Sequence, residues 1–174
     1  MTELAAYIRT VPDFPKPGIL FYDITTLLEH PRGFQLALDR MEKYVRGCKP
    51  DAIVAIESRG FLFGAALADR LKIGVVPVRK IGKLPSDTIS QEYALEYGTD
   101  HVEIHSDAIE QGDRVVVVDD LIATGGTIAA ACKLIERLGG KVAGISAVIE
   151  LSFLPWRQVL KKYDVNYLIS FDSE

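Results

Sequence analysis

The stretch VVVVDDLIATGGT, residues 115–127, carries the densest chemistry in the chain. Asp119 and Asp120 are adjacent carboxylates, and Ala123, Thr124, Gly125, Gly126 and Thr127 follow after Leu121 and Ile122. A glycine-containing turn that opens a helix presents backbone N–H groups, and the helix dipole adds partial positive charge, so this turn suits a phosphate. Gly125 and Gly126 let the backbone approach a ligand closely, while Thr124 and Thr127 add hydroxyl donors. The turn is not a Walker A loop, because GxxxxGK[ST] is absent, and GxGxxG is also absent from the chain. A phosphate monoester fits better than a dinucleotide. Carboxylates repel phosphate, so Asp119 and Asp120 must address another part of the ligand: ribose hydroxyls, Mg²⁺ or a cationic sugar carbon. Neighbours on a strand point to opposite faces, so only one of the two is expected to touch the hydroxyls. The bland alternative is a pair of solvated acids at a strand end beside a helix cap.

The elements that must position these groups are legible as an alternation. Apolar strands are expected at 51–58, 74–80, 115–120, 141–151 and 165–171. Helices are expected at 31–47, with Phe34, Leu38, Met41 and Val45 on one stripe, at 60–72, and at 125–140, with Ile128, Ala131, Cys132, Ile135 and Leu138 on one stripe. Pro31 suits a helix start. Uniformly apolar strands alternating with helices predict an α/β fold with a mostly parallel sheet covered on both faces, and ligands of such sheets sit beyond the carboxyl ends of the strands. Residues 11–25 cannot form a helix, because Pro12, Pro15 and Pro17 fix extended or turn backbone, yet Phe14, Ile19, Leu20 and Phe21 are too apolar for a solvated linker. Residues 81–106 are polar and turn-rich, a long mobile excursion with enough alternation in YALEYG and HVEIH for a β-ribbon.

Composition bounds the rest. The 174 residues, 48% hydrophobic and 25% charged, predict one soluble globular domain over 1–174. Twenty Lys plus Arg against 24 Asp plus Glu give a net charge of −4, which argues against non-specific nucleic-acid binding. No secretory signal and no apolar run of about 20 residues is present, so neither export nor a membrane helix is expected. Cys48 and Cys132 read as free thiols in a reducing cytosol. His101 and His105 have helical metal-pair spacing, but HVEIH alternates like a strand, so these and His30 are read as surface histidines.

The 115–127 block resembles the 5-phosphoribosyl diphosphate (PRPP) signature of type I phosphoribosyltransferases: apolar strand, two acids, phosphate loop. PDFPKPGILFYDIT, ESRGFLFG, VRKIGKLP, LEYG and DAIEQGDRVVVVDDLIATGGT are similar, in order and spacing, to the members of that family that use adenine, over nearly the whole chain. The resemblance implies a type I phosphoribosyltransferase fold with an N-terminal hood (about 1–30) and a flexible catalytic loop (about 81–106). It implies transfer of phosphoribosyl from PRPP to adenine, giving AMP and diphosphate, with Mg²⁺ carried by PRPP and water and without direct protein ligands. Ala123 to Thr127 would hold the 5′-phosphate and Asp119 and Asp120 would lie at the ribose. Glu57, Ser58, Arg59 and Gly60 would form the diphosphate loop with a non-proline cis peptide, Arg59 as its clamp. Arg79 and Lys83 would lie near the diphosphate, Lys83 from a neighbouring subunit of a homodimer. Phe21 would stack on the base while backbone of Leu20 and Tyr22 reads its edge; Tyr22 stands where many members carry arginine. Glu96 would exchange a proton near adenine N7, with Tyr97 packing the closed loop. Catalytic roles thus fall to Glu96, Asp119, Asp120 and Arg59. A sibling using another base would share the phosphate loop but not the hood and LEYG; a PRPP-binding regulator would be expected to carry a DNA-binding module; a Rossmann-like binding module leaves the basic and acidic groups around one site unexplained.

Overall fold

The computed structural model describes residues 3–94 and 98–172. A 3-10 turn, Glu3–Tyr7, leads into β1 (Arg9–Pro12) and β2 (Leu20–Asp23), which pair antiparallel, followed by α1 (Thr25–Glu29) and α2 (Pro31–Cys48). Then come β3 (Ala52–Ile56), α3 (Gly60–Leu71), β4 (Gly74–Lys80), β5 (Thr88–Ala94), β6 (Thr99–His105), β7 (Arg114–Ile122), α4 (Gly126–Arg137), β8 (Lys141–Leu151), α5 (Trp156–Val159) and β9 (Val165–Phe171). The strands β3 to β9 form one sheet in the order β5-β6-β4-β3-β7-β8-β9. Strands β4, β3, β7, β8 and β9 run parallel, and β5 and β6 join antiparallel at the β4 edge. The central elements thus follow the expected alternation, and the 81–106 excursion folds largely as the ribbon that its own alternation allowed.

The four valines of β7 explain its apolar run. Val115 and Val117 join the core under α4, while Val116 and Val118 join the core under α2 and α3, all of them fully buried. A strand covered on both faces needs no polar alternation. Helix α3 lies close enough to β3 that a Cβ added at Gly64 would sit 2.5 Å from the Ala55 Cβ, so only glycine permits this approach. Helix α2 begins at Pro31, as expected, and His30 caps it by accepting the Gly33 N–H at its Nδ1 (3.3 Å).

The N-terminal segment is more structured than its prolines imply. Residues 11–25 form most of a two-stranded hairpin, its connection containing a cis Phe14–Pro15 peptide, and Thr25 already belongs to α1. Its apolar residues are only partly covered: Phe14 is 50% and Ile19 41% exposed. The hairpin is fastened by Arg9, whose guanidinium donates to Asp23, and by Thr26, whose hydroxyl donates to the Tyr7 carbonyl. The Thr25 hydroxyl, followed by Arg9, holds the Asp23 carboxyl down to about 2. No helix among the described residues is long and apolar enough to cross a membrane.

Candidate active site

Because β3, β4 and β7 are adjacent and parallel, their carboxyl ends open on one side, and the chain places its polar segments there. After β7 the backbone turns at Gly125, in the left-handed region with φ 81°, and Gly126 starts α4. Thr124 Oγ1 faces the Gly126 N–H at 3.5 Å. Asp119, Leu121 and residues 123–128 line a cavity of about 80 Å³, which matches a single phosphate better than a larger group. Ala123, Thr124, Gly125, Gly126 and Thr127 are thus together at the helix start that lines this cavity.

The two aspartates diverge, as strand geometry requires. Asp120 follows Val116 and Val118 and accepts a 2.5 Å bond from Nε of Arg59, at the start of α3. Asp119 follows Val115 and Val117, lines the phosphate-sized cavity and accepts the N–H of Asp120 (2.9 Å). Burial, reinforced by the neighbouring Asp120 charge, pushes the Asp119 carboxyl well above the usual carboxylate range. Gly60 makes this packing possible: a Cβ there would stand 2.9 Å from both Asp119 Oδ1 and the Val118 carbonyl.

The 57–60 segment has the expected cis peptide, between Glu57 and Ser58. Ser58 is exposed and Arg59 half-exposed. Glu57, however, turns to the protein: it accepts two bonds from Arg79 (3.2 and 3.1 Å) and one from the Lys80 N–H (3.0 Å). Arg79, against an opposing effect of burial, holds the Glu57 carboxyl below its usual range. Arg79 also donates to the Lys83 carbonyl (3.1 Å), so both expected cations stand beside the loop, with the exposed Lys83 side chain further out.

The hairpin and α1 bound a second, larger cavity of about 520 Å³, lined by Val11, Phe14, Phe21, Asp23, Ile24, Thr25 and Arg59. Phe21 meets Phe14 edge-on at 5.1 Å between ring centroids. Strand alternation sends Tyr22 the other way: it is buried and stacked on Phe171 at 4.0 Å, so its side chain belongs to the core and only its backbone is available at the cavity rim. Leu20 likewise packs against that core. Arg59 lines this cavity and binds Asp120, and so joins the cavity to the acids.

Glu96 and Tyr97 lie outside the described residues; β5 and β6 flank them. The strand ends nearby rest on the 124–127 turn. A Cβ at Gly126 would meet the Ala94 carbonyl at 3.0 Å and the Tyr93 ring at 3.3 Å, and the Tyr93 hydroxyl shares hydrogen bonds with Asp100 (3.3 Å) and Thr127. Asp100 in turn pairs with Lys80 at 3.1 Å. Glu103, buried on β6, accepts the N–H groups of Lys83 and Leu84 (3.0 Å each) and the Thr88 hydroxyl (3.3 Å), fixing the turn that carries Lys83. Sequence reading missed Glu103, Tyr93, Asp100 and the hood residues Val11, Phe14 and Asp23. Glu103 gave no inward signal, because an acid between Val102 and Ile104 in an alternating strand reads as facing solvent.

The chain matches the Phosphoribosyl transferase domain family over residues 23–166. An adenine phosphoribosyltransferase of Brachyspira hyodysenteriae is 56% identical over 169 residues, 97% of this chain and 99% of that protein. The crystal structure of the adenine phosphoribosyltransferase of Thermoanaerobacter pseudethanolicus superposes with a TM-score of 0.94 at 55% identity, covering 97% of this chain and 98% of the other. That of Saccharomyces cerevisiae, in complex with an imino-altritol bisphosphate and adenine, gives 0.90 at 43% identity, covering 96% and 97%.

The raised Asp119 carboxyl has a consequence for stability. The folded state binds this proton more tightly than the unfolded chain, so ionisation costs stability as pH rises from the unfolded value of about 3.9 through the folded one. Asp119→Asn removes that cost while keeping an acceptor for the Asp120 N–H. The variant is expected to melt at a higher temperature than the parent at pH 8, with the gain shrinking toward about pH 4, where the parent is also protonated. Thermal melts at the two pH values check this; no gain at pH 8 would contradict it.

Proposed function

The chain belongs to the adenine phosphoribosyltransferases of the phosphoribosyltransferase family, and on that premise we propose how its residues carry the reaction. It transfers the 5-phosphoribosyl group of PRPP to adenine, giving AMP and diphosphate. Thr124, Gly125, Gly126 and Thr127, with Ala123, hold the 5′-phosphate; the helix-start turn and its small cavity support this. Asp119, the acid that lines that cavity, faces the ribose hydroxyls and the ring, while Asp120 keeps Arg59 at the mouth of the site. Phe21 stacks on adenine within the hood cavity, and backbone of Leu20 and Tyr22 reads the base edge. The observation that carries the reading is Arg59, which lines the hood cavity and binds the acid next to the 124–127 turn.

As the C1–diphosphate bond breaks, positive charge develops on the ribose ring; the N9 lone pair of N7-protonated adenine forms the bond to C1, and the N7 proton passes to the Glu96 carboxylate. A carboxylate beside the ring stabilises that charge most where water is excluded, which is the position of Asp119. Ser58, the Ser58–Gly60 backbone, Arg59, Arg79 and Lys83 receive the diphosphate. Glu57 orients Arg79 for this task, through the two bonds it accepts. Mg²⁺ enters as part of the substrate, neutralising charge on the departing diphosphate. Glu96 exchanges a proton at adenine N7, and Tyr97 packs beside it as the 81–106 segment closes. Two buried free cysteines support a reducing, cytosolic setting. The homodimer is carried over from the family resemblance alone.

Incubation with PRPP, Mg²⁺ and each purine base tests the specificity: AMP is expected from adenine, with no nucleotide from hypoxanthine. Turnover of hypoxanthine but not adenine would overturn the hood assignment, and no turnover at all would favour a binding protein. Glu96→Leu is expected to lower kcat by about 100-fold or more while PRPP affinity changes little; an unchanged kcat would remove Glu96 from the mechanism. Sedimentation equilibrium is expected to give the mass of two chains, and the mass of one would contradict the dimer.

A further inference from the structure

The phosphate turn has a support behind it as well as a ligand face in front. Glu150, at the end of β8, is fully buried, a costly place for a carboxylate unless donors surround it. Three do: the indole Nε1–H of Trp156 (2.7 Å), Nη2 of Arg157 (2.8 Å) and the hydroxyl of Ser170 (2.6 Å). Trp156 is itself buried, covered by the Arg157 guanidinium at 4.4 Å from its ring and met edge-on by Tyr167 at 6.0 Å. These bonds fix where the short helix α5 lies, and α5 lies against the turn. A Cβ placed on Gly125 would stand 3.2 Å from Trp156 Cβ and 3.3 Å from Leu160 Cγ, so these two side chains form a wall directly behind that residue. Gly125 has φ 81°, a conformation with little intrinsic preference over its alternatives in glycine, so something outside the turn must select it.

We propose that Glu150 and Trp156 are positioning residues for PRPP: the buried carboxylate pins the indole and with it α5, and the wall of Trp156 Cβ and Leu160 sets Gly125 so that the N–H groups of residues 125–127 converge on the 5′-phosphate. The inference rests on the phosphate reading of the turn. It assigns to β8 and α5, which touch no substrate, a share of the affinity for the phosphorylated sugar and none of the affinity for adenine, since neither residue lines the hood cavity.

Trp156 is the only tryptophan of the chain, which supplies a direct readout. Ribose 5-phosphate titrated into the parent is expected to change tryptophan emission in step with binding measured by calorimetry. Trp156→Phe, which keeps an aromatic wall but loses the N–H, and Glu150→Gln, which keeps an acceptor but loses the charge facing Arg157, are each expected to raise the PRPP KM by about tenfold. The adenine KM should stay within about twofold and kcat fall less than the PRPP KM rises. Thr127→Ala serves as the control on the turn itself. If Thr127→Ala weakens ribose 5-phosphate binding while the Trp156 and Glu150 variants only melt earlier, with the PRPP KM unchanged, the positioning role is overturned and the phosphate reading stands. The positioning role is overturned in the same way if calorimetry detects binding and emission does not move. If Thr127→Ala leaves ribose 5-phosphate binding unchanged, the phosphate reading fails and the positioning role falls with it.

Discussion

Two carboxylates in sequence at the end of a strand buried on both faces cannot both be left ionised without partners, and the site is organised around that constraint. The period of the strand separates them. Asp120 takes the face toward α3 and is answered by Arg59 at 2.5 Å. Asp119 points away from Arg59, packs against Gly60 at the start of α3, receives one backbone N–H, and is left as a desolvated acid beside a cavity of phosphate size. Gly60 is required because no side chain fits between α3 and Asp119. A chain that only had to fold would not keep Asp119 in this state. A chain that must stabilise positive charge on a sugar ring gains from it, because the field of a desolvated carboxylate is weakly screened.

Around that pair the supporting groups are arranged by the same logic of matched charge. Glu57 orients Arg79, Glu103 fixes the turn carrying Lys83, and Asp100 ties Lys80 to the ribbon whose end rests on Gly126. Glu57 and Glu103 each sit one step away from a cation, Arg79 or Lys83, of the proposed diphosphate site. The cations are thereby held at the site before the ligand arrives, which lowers the ordering cost of binding a highly charged substrate. Acidic residues around an anion site are therefore part of its construction.

Much of this was legible in the sequence, for reasons that particular residues make plain. The helix stripes of 31–47 and 125–140 and the valine run of β7 announced their elements through periodicity, and ATGGT announced an anion site through backbone chemistry alone. The role of Phe21, by contrast, depended on family resemblance, and so did that of Arg59. Tyr22 could not be resolved from the sequence, because whether its side chain met ligand or core depended on the pairing of β2; the stack on Phe171 gives the answer. Glu103 and Glu150 were invisible for a different reason. A buried acid is recognisable only through its donors, and those come from residues 15 to 20 positions away or from a helix of four residues that no pattern predicts.

In the proposed function the labour is divided along β7 and its turn: phosphate at residues 124–127, sugar at Asp119, base beneath the hood. A crystal structure of the protein with AMP is the sharpest test of that division. The phosphate oxygens are expected within hydrogen-bond distance of the Gly125, Gly126 and Thr127 N–H groups, the ribose hydroxyls at the Asp119 carboxylate, and adenine against the Phe21 ring. AMP bound with its phosphate at residues 58–60, or with its base outside the cavity of Phe14 and Phe21, would contradict it.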